Sequence, residues 1–302
     1  MNPKACLLLL PCWIALSSCA NADSSSDSVN WAERIAKLNG KPLDENNSNN
    51  TPQRFAAGTI SKPDSFEYGS TFSPDGTLFF FGVDLGHRAE IHVARFENDA
   101  WLESEVFLSH ETISHNDPMF SPDGKRLYFI TDQHAENSFD IGYVEKTQNG
   151  WSPVKIATGI STPATEYFYS ESRAGEQFFA RNVSKPDEKP NFDIYFRNAS
   201  TPNEGSRLTS SVNSQYYEGD PFISADGNTL IFVSNRPGGA GKGDLYVSVR
   251  STDGHWQPAT HLGADINSKG HEITPYLTPD GKALIFSRDG DLYWVSASSI
   301  GQ

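Results

Sequence analysis

From residue 66 onward, short apolar runs alternate with clusters of Ser, Pro, Asp and Gly, and segments with helical spacing are few. That rhythm predicts strands and tight turns. Five segments align on one turn: Phe72-Ser73-Pro74-Asp75-Gly76, Phe120-Ser121-Pro122-Asp123-Gly124, Glu171-Ser172-Arg173-Ala174-Gly175, Ile223-Ser224-Ala225-Asp226-Gly227 and Leu277-Thr278-Pro279-Asp280-Gly281. Their glycines lie 48, 51, 52 and 54 residues apart, a period that marks one supersecondary unit per repeat. Asp-Gly supplies the backbone conformations that a tight hairpin needs. A β-branched or aromatic strand is predicted after each turn, at 78–81, 127–130, 177–180, 230–233 and 284–287. A third strand is predicted after a variable loop, at 91–93, 140–144, 193–196, 244–247 and 291–295. Three repeats then place a tryptophan, Trp101, Trp151 or Trp256, before a fourth strand.

Four short antiparallel strands per unit is the pattern of a propeller blade. The fold class expected is therefore all-β: a five-bladed β-propeller of four-stranded antiparallel blades over 54–302. The fifth unit ends soon after its third strand, whereas residues 54–60 before the first unit look like the fourth-strand stretch at 154–160. An N-terminal strand is expected to complete the last blade and so remove an exposed sheet edge.

The pattern Ser-Pro-Asp-Gly-Lys-x-Leu-x-Phe at 121–129, echoed in the other repeats, resembles the WD40-like (PD40) repeat of the TolB type. The stretch 234–239 through Asp244-Leu245-Tyr246 is similar to versions in OmpA-associated periplasmic proteins, as is 262–268 with Glu272 and Pro275. The resemblance covers roughly residues 54–297, and the third repeat departs most from it. TolB proteins have six such blades and a separate N-terminal domain, and neither is expected here. The resemblance implies a periplasm-facing binding module working through its channel face and long loops.

The first residues add a location. Lys4 precedes a mostly apolar stretch at 5–16, too short to span a bilayer, which reads as an export signal over 1–18. It ends in Leu16-Ser17-Ser18-Cys19, which resembles a bacterial lipobox. That implies lipidation of Cys19, with diacylglycerol and palmitate as the anchor. Ala20, in place of Asp, points to the outer membrane by resemblance to known sorting rules. All three cysteines lie within the first nineteen residues, so the body is expected to hold no disulfide. Residues 19–53 are rich in Ser, Asn and Asp and are expected to act as a flexible tether. A short helix at 30–38 carrying Trp31 is expected within it.

Without residues 1–18 the chain carries 23 basic and 38 acidic residues. Such a charge disfavours nucleic acid and anionic headgroups, leaving the lipid as the membrane contact. Glu67, His115, Glu166, Glu218 and Glu272 stand at equivalent positions where the innermost strands should begin. Around a ring they would form a channel mouth able to attract a divalent cation or a basic peptide, with His271 beside it. The structural alternative is that each Glu accepts bonds from backbone amides or from Arg181, Arg236 and Arg288. A glycan hydrolase or lyase would use two such carboxylates, but near-identical acids lack the divergent environments that separate acid from base. The expectation is a monomeric, non-catalytic module that binds an envelope protein or a peptidoglycan-associated partner.

Overall fold

The computed structural model describes residues 51–297 and 300, except 99, 136–137, 186, 199 and 201–203. The lipobox, Cys19, the helix expected at 30–38 and nearly all of the tether fall outside the described residues. The described residues form five antiparallel sheets. The chain is a five-bladed β-propeller. Blade 1 consists of Phe66–Phe72, Leu78–Asp84, Ala89–Glu97 and an outer edge shared by Ala100–Trp101 and Glu105–Leu108. Blade 2 repeats this with His115–Phe120, Arg126–Ala135, Ser138–Thr147, Gly150–Trp151 and Lys155–Ile156. Blade 3 holds Glu166–Glu171, Gln177–Asn182, Phe192–Arg197 and Ser206–Arg207, and blade 4 holds Glu218–Ile223, Thr229–Ser234, Asp244–Val249 and Thr260–His261. The first strands of successive blades touch around the ring, so each is the innermost strand of its blade.

Blade 5 begins with Glu272–Leu277, Ala283–Arg288 and Asp291–Ser296, and Gln53–Arg54 completes it by pairing with Trp294 and Tyr293. The expected closure is present, in a shorter form. After Arg54 the chain leaves the sheet, with Phe55 N–H donating to Leu292 O at 2.8 Å. Positive φ at Ala56 and Gly58 turns the backbone, and Ile60 N–H bonds Ala56 O. This turn drives Phe55 and Ile60 into the core, where both are buried. Closure therefore rests on two strand residues plus an apolar plug, not on a full-length strand.

The five turns share one hydrogen-bond pattern. Ser73 Oγ donates to Asp75 at 2.5 Å and accepts from Leu78 N–H at 3.0 Å, while Gly76 sits at φ 64°. Ser121–Asp123, Ser224–Asp226 and Thr278–Asp280 repeat the first contact. The third turn lacks the aspartate, and Glu176 takes its place by accepting from Ser172 Oγ at 3.3 Å. Glu176 is itself held by Arg250 of the next blade at 2.9 Å.

The core lies between blades, because each sheet face is apolar and must be covered by its neighbour. Phe80, Ile91, Leu127 and Phe129 join blade 1 to blade 2; Tyr128, Ile130, Tyr169 and Phe179 join blade 2 to blade 3. Tyr128 stacks on Tyr169 with centroids 4.0 Å apart. The tryptophans of the outer edges insert into three of the layers between blades: Trp101 against Phe72, Trp151 against Phe107 and Trp256 against Phe178.

Candidate functional site on the propeller axis

The side chains at the expected channel mouth are buried, with Glu166, Glu218 and Glu272 0% exposed, Glu67 1% and His115 2%. Three of them form one repeated clamp. Glu166 accepts from Thr162 N–H and Oγ1–H at 2.9 and 2.7 Å and from Arg181 Nε at 2.7 Å. Glu218 accepts from Ser214 N–H and Oγ–H at 2.7 and 2.6 Å and from Arg236 at 2.9 Å. Glu272 accepts from Ser268 Oγ–H and Arg288 Nε, both at 2.6 Å. Each arginine also donates to the loop that leads into its blade, at Ile160 O, Val212 O or Ile266 O. The clamp thus ties a blade to its entry loop and buries Ile160, Val212 or Ile266 as a wedge.

Blades 1 and 2 lack the arginine. Glu67 has a side-chain hydrogen bond with Ser65 and a 3.5 Å contact from Lys62 N–H, and its Oε2 has no partner. Burial pushes its carboxyl up from the usual range. His115 Nδ1 is likewise without a partner, and burial lowers the imidazole to about 4. His271, itself exposed, stands outside this ring and bridges to Gly243. Among the described residues no three of His, Cys, Asp and Glu group as metal ligands.

Two residues further along each innermost strand lies a second ring that the sequence reading did not single out: Gly69, Asp117, Phe168, Asp220 and Thr274. All five adopt positive φ, between 49° and 54°, and each marks a bulge in the pairing with its neighbouring strand. A proline follows three of them, at Pro118, Pro221 and Pro275. Proline cannot donate to a ladder and belongs at a bulge, so it was the available signal. The bulges turn these side chains toward the next or preceding blade. Asp220 accepts from Thr274 N–H at 3.0 Å, and Thr274 Oγ1 accepts from Gly69 N–H at 3.1 Å. A Cβ on Gly69 would sit 2.5 Å from Asp117 Cα. Only glycine permits that approach.

Asp117 and Asp220 are both buried, and each keeps one carboxylate oxygen without a partner. Burial, reinforced by the charge of Asp220, holds the Asp117 carboxyl well above its ordinary value. Burial also pushes Asp220 up to about 6. Burial raises the phenols of Tyr68, Tyr167 and Tyr217; the charges of both aspartates add to it at Tyr167 and Tyr217, and those of Asp117 and Asp84 at Tyr68.

Open space lies at the opposite end of the innermost strands, where the five turns meet. A cavity of about 420 Å3 there takes walls from every blade, among them Pro74, Pro122, Arg173, Ser224 and Tyr276. Its floor includes Thr71, Ser170 and Phe222. Ser170 Oγ donates to Pro221 O at 2.6 Å, while Phe120 N–H donates to Thr71 Oγ1 at 3.3 Å, so both hydroxyls tie adjacent blades together. Two carboxylates on this wall are shifted in opposite directions. Burial raises Glu171, whose Oε2 accepts from Tyr169. Burial would also raise Asp226, but bonds from Ser224 and Asn228 outweigh it and lower the group. Because Asp226 is a turn cap shared with three other repeats, its charge is already committed to the hairpin.

No protein-family model and no curated protein matches this chain. Among solved structures it is similar to a putative TolB from Agrobacterium tumefaciens, at 17% identity and TM-score 0.49, over 74% of this chain and 70% of that one. TolB from Acinetobacter baumannii matches at 19% identity and TM-score 0.48, over 78% of this chain and 55% of the other. The likeness to TolB propellers is one of fold. An α-L-arabinanase from Penicillium chrysogenum matches as well, at 13% identity and TM-score 0.46 over 82% of this chain and 77% of the other. At these identities fold is shared across unlike functions, so function has to be argued from the site.

Proposed function

We propose that this chain is a non-catalytic binding module of the bacterial envelope, anchored by lipid on Cys19, which receives a segment of a partner protein in the axial pocket at its turn face. The observation that carries this reading is the pocket itself, walled by the turns of all five blades. Concave sites with mixed polar and apolar walls suit a peptide segment. Its chemistry comes from turn residues on a rigid scaffold, as binding surfaces commonly do. Arg173 stands exposed on its rim, a basic contact on a chain of net charge −14.

A photo-crosslinking residue at position 173 tests this in intact cells. A defined envelope protein should be captured from position 173 and not from Val183, which is exposed on a loop after the second strand of blade 3. Equal capture from both positions, or none from 173, would remove the pocket as the docking surface. Anchoring is tested separately. Cells fed a labelled fatty acid should incorporate label into the wild-type chain, and Cys19→Ser should abolish it and release the protein from the membrane fraction. Label retained by the Ser variant would sink the anchor.

A further inference from the structure

The innermost strands begin on the face opposite the five turns, and there the axis has an aromatic mouth. Tyr68 in blade 1, Tyr167 in blade 3 and Ile273 in blade 5 each directly precede a residue of the bulge ring, and all three are half-buried. Blade 4 has Gly219 at this level, and the Tyr217 hydroxyl fills the space that a Cβ on Gly219 would need. Tyr217 is half-buried as well. The charges of Tyr68, Tyr217, Asp117 and Asp220 all act on Tyr167, so groups from blades 1 to 4 converge on one point of the axis. Further rings extend this wall outward. Phe139 meets Tyr167 edge-on at 5.6 Å, Tyr167 meets Phe192 at 6.1 Å, and Phe192 meets Tyr217 at 5.6 Å.

The aspartates of the bulge ring lie beneath these phenols. Asp117 and Asp220 are 2% and 3% exposed, and each holds one carboxylate oxygen that nothing donates to. Among the described residues no Lys, Arg or His side chain offsets the charge of either. A positive charge is what this part of the interior lacks. The phenols above are uncommitted too, since no hydrogen bond holds the hydroxyl of Tyr68 or Tyr217 among the described residues. These two side chains can part to admit a group without breaking a bond.

We infer that this mouth is a binding site for a primary alkylammonium group, received between Tyr68, Tyr167 and Tyr217 with Asp117 and Asp220 as its counter-charge. An ammonium has three donors and no acceptor, which suits carboxylate and phenol oxygens. Ring faces attract its charge and cover its methylene stem. A hard divalent metal suits the mouth less, because it takes about six or more oxygen ligands, and among the described residues no three of His, Cys, Asp and Glu group together. The net charge of −14 favours the approach of a cation. A free diamine and the lysine side chain of a partner offer the same chemistry. The site lies at the other end of the axis from the turn-face pocket and stands whether or not that pocket docks a partner.

n-Pentylammonium chloride is the probe, titrated calorimetrically into the full chain at pH 8 in phosphate buffer free of other amines. Saturable binding is expected, with none by the neutral 1-pentanol. Asp220→Asn should weaken the probe about tenfold or more, the worth of one charge-assisted contact. Backbone amide shifts in the wild-type protein should move at Gly69, Gly219 and Thr274 and not at the turn glycines Gly76 and Gly227, which keeps the test independent of how the variant folds. Tighter binding of 1,5-diaminopentane than of Nα-acetyl-L-lysine amide would assign the site to a free diamine, and the reverse order to a partner's lysine. No saturable binding at millimolar probe, equal binding of the alcohol, full affinity in the Asp220→Asn variant, or shifts confined to the turn glycines would overturn the assignment.

Discussion

Arg181→Met should destabilise this protein by about 3–5 kcal/mol, the cost of leaving a buried charge without its partner. Glu166 is fully buried, and Arg181 holds it at 2.7 Å while also donating to Ile160 O. The guanidinium lies 4.6 Å from the Tyr195 centroid, so its stem and head both pack. Burial already raises the Glu166 carboxyl even with the arginine present. Without Arg181 that group takes up a proton at higher pH, so the loss should be smaller at pH 5 than at pH 8. The double variant Glu166→Gln, Arg181→Met should recover most of it, since no uncompensated charge remains. Urea unfolding of the four proteins at both pH values gives the coupling directly. Additive single losses would mean that Glu166 is solvated, and the clamp would then be no account of why these glutamates recur.

The second large effect concerns the axis. Asp220→Asn should raise stability at pH 8 by on the order of 2–3 kcal/mol, taking roughly 1.4 kcal/mol for each pH unit by which the group is displaced. Its folded value, about 6, exceeds that of an exposed aspartate. A carboxyl raised in the folded state stabilises fully below its unfolded value, and that contribution is lost as pH climbs through the folded value. The wild type should therefore lose this contribution between about pH 4 and 6, and the Asn variant should not. Asn can accept the Thr274 N–H and tolerates the left-handed backbone at this position. His115 works in the opposite direction. Its imidazole, lowered to about 4, disfavours the fold as pH falls from about 6.5. His115 is common to both proteins, so the difference between their profiles reports Asp220 together with Asp117, whose carboxyl the Asp220 charge raises. A variant no more stable at pH 8 than the wild type would mean that water or a bound cation satisfies the aspartates.

Blade number, strand order within each blade and closure through the N-terminal segment were legible along the chain, because each rests on local signals. Asp-Gly turns dictate hairpins, and a period near 50 residues repeats one unit that must pack on its neighbour. The closing strand was legible from the likeness of 54–60 to 154–160, and it pairs through two residues, Gln53–Arg54, as that stretch does through Lys155–Ile156, before the backbone turns at Ala56. The recurring glutamates were recognisable as equivalent positions, and their possible arginine partners could be named. That three of the five are clamped follows from whether the second strand or the residues just after it carry arginine: Arg181, Arg236 and Arg288 do, and the segments facing Glu67 and His115 do not.

The bulge ring was harder to see. Gly, Asp, Phe, Asp and Thr share no side-chain chemistry, and what unites them is a backbone conformation marked only by prolines after three of them. The pocket at the turn face had no linear signature: it forms where five turns, each about 50 residues from the next, meet on an axis. Sequence by itself determined the repeat, the hairpins and the charge, since those depend on neighbouring residues and composition. Only the closed ring decided which polar groups are sealed in pairs, which are stranded in the interior and where a cavity remains. Those outcomes depend on contacts between residues as much as 241 positions apart, as Gln53 and Trp294 are, brought together by a closure that no single repeat encodes.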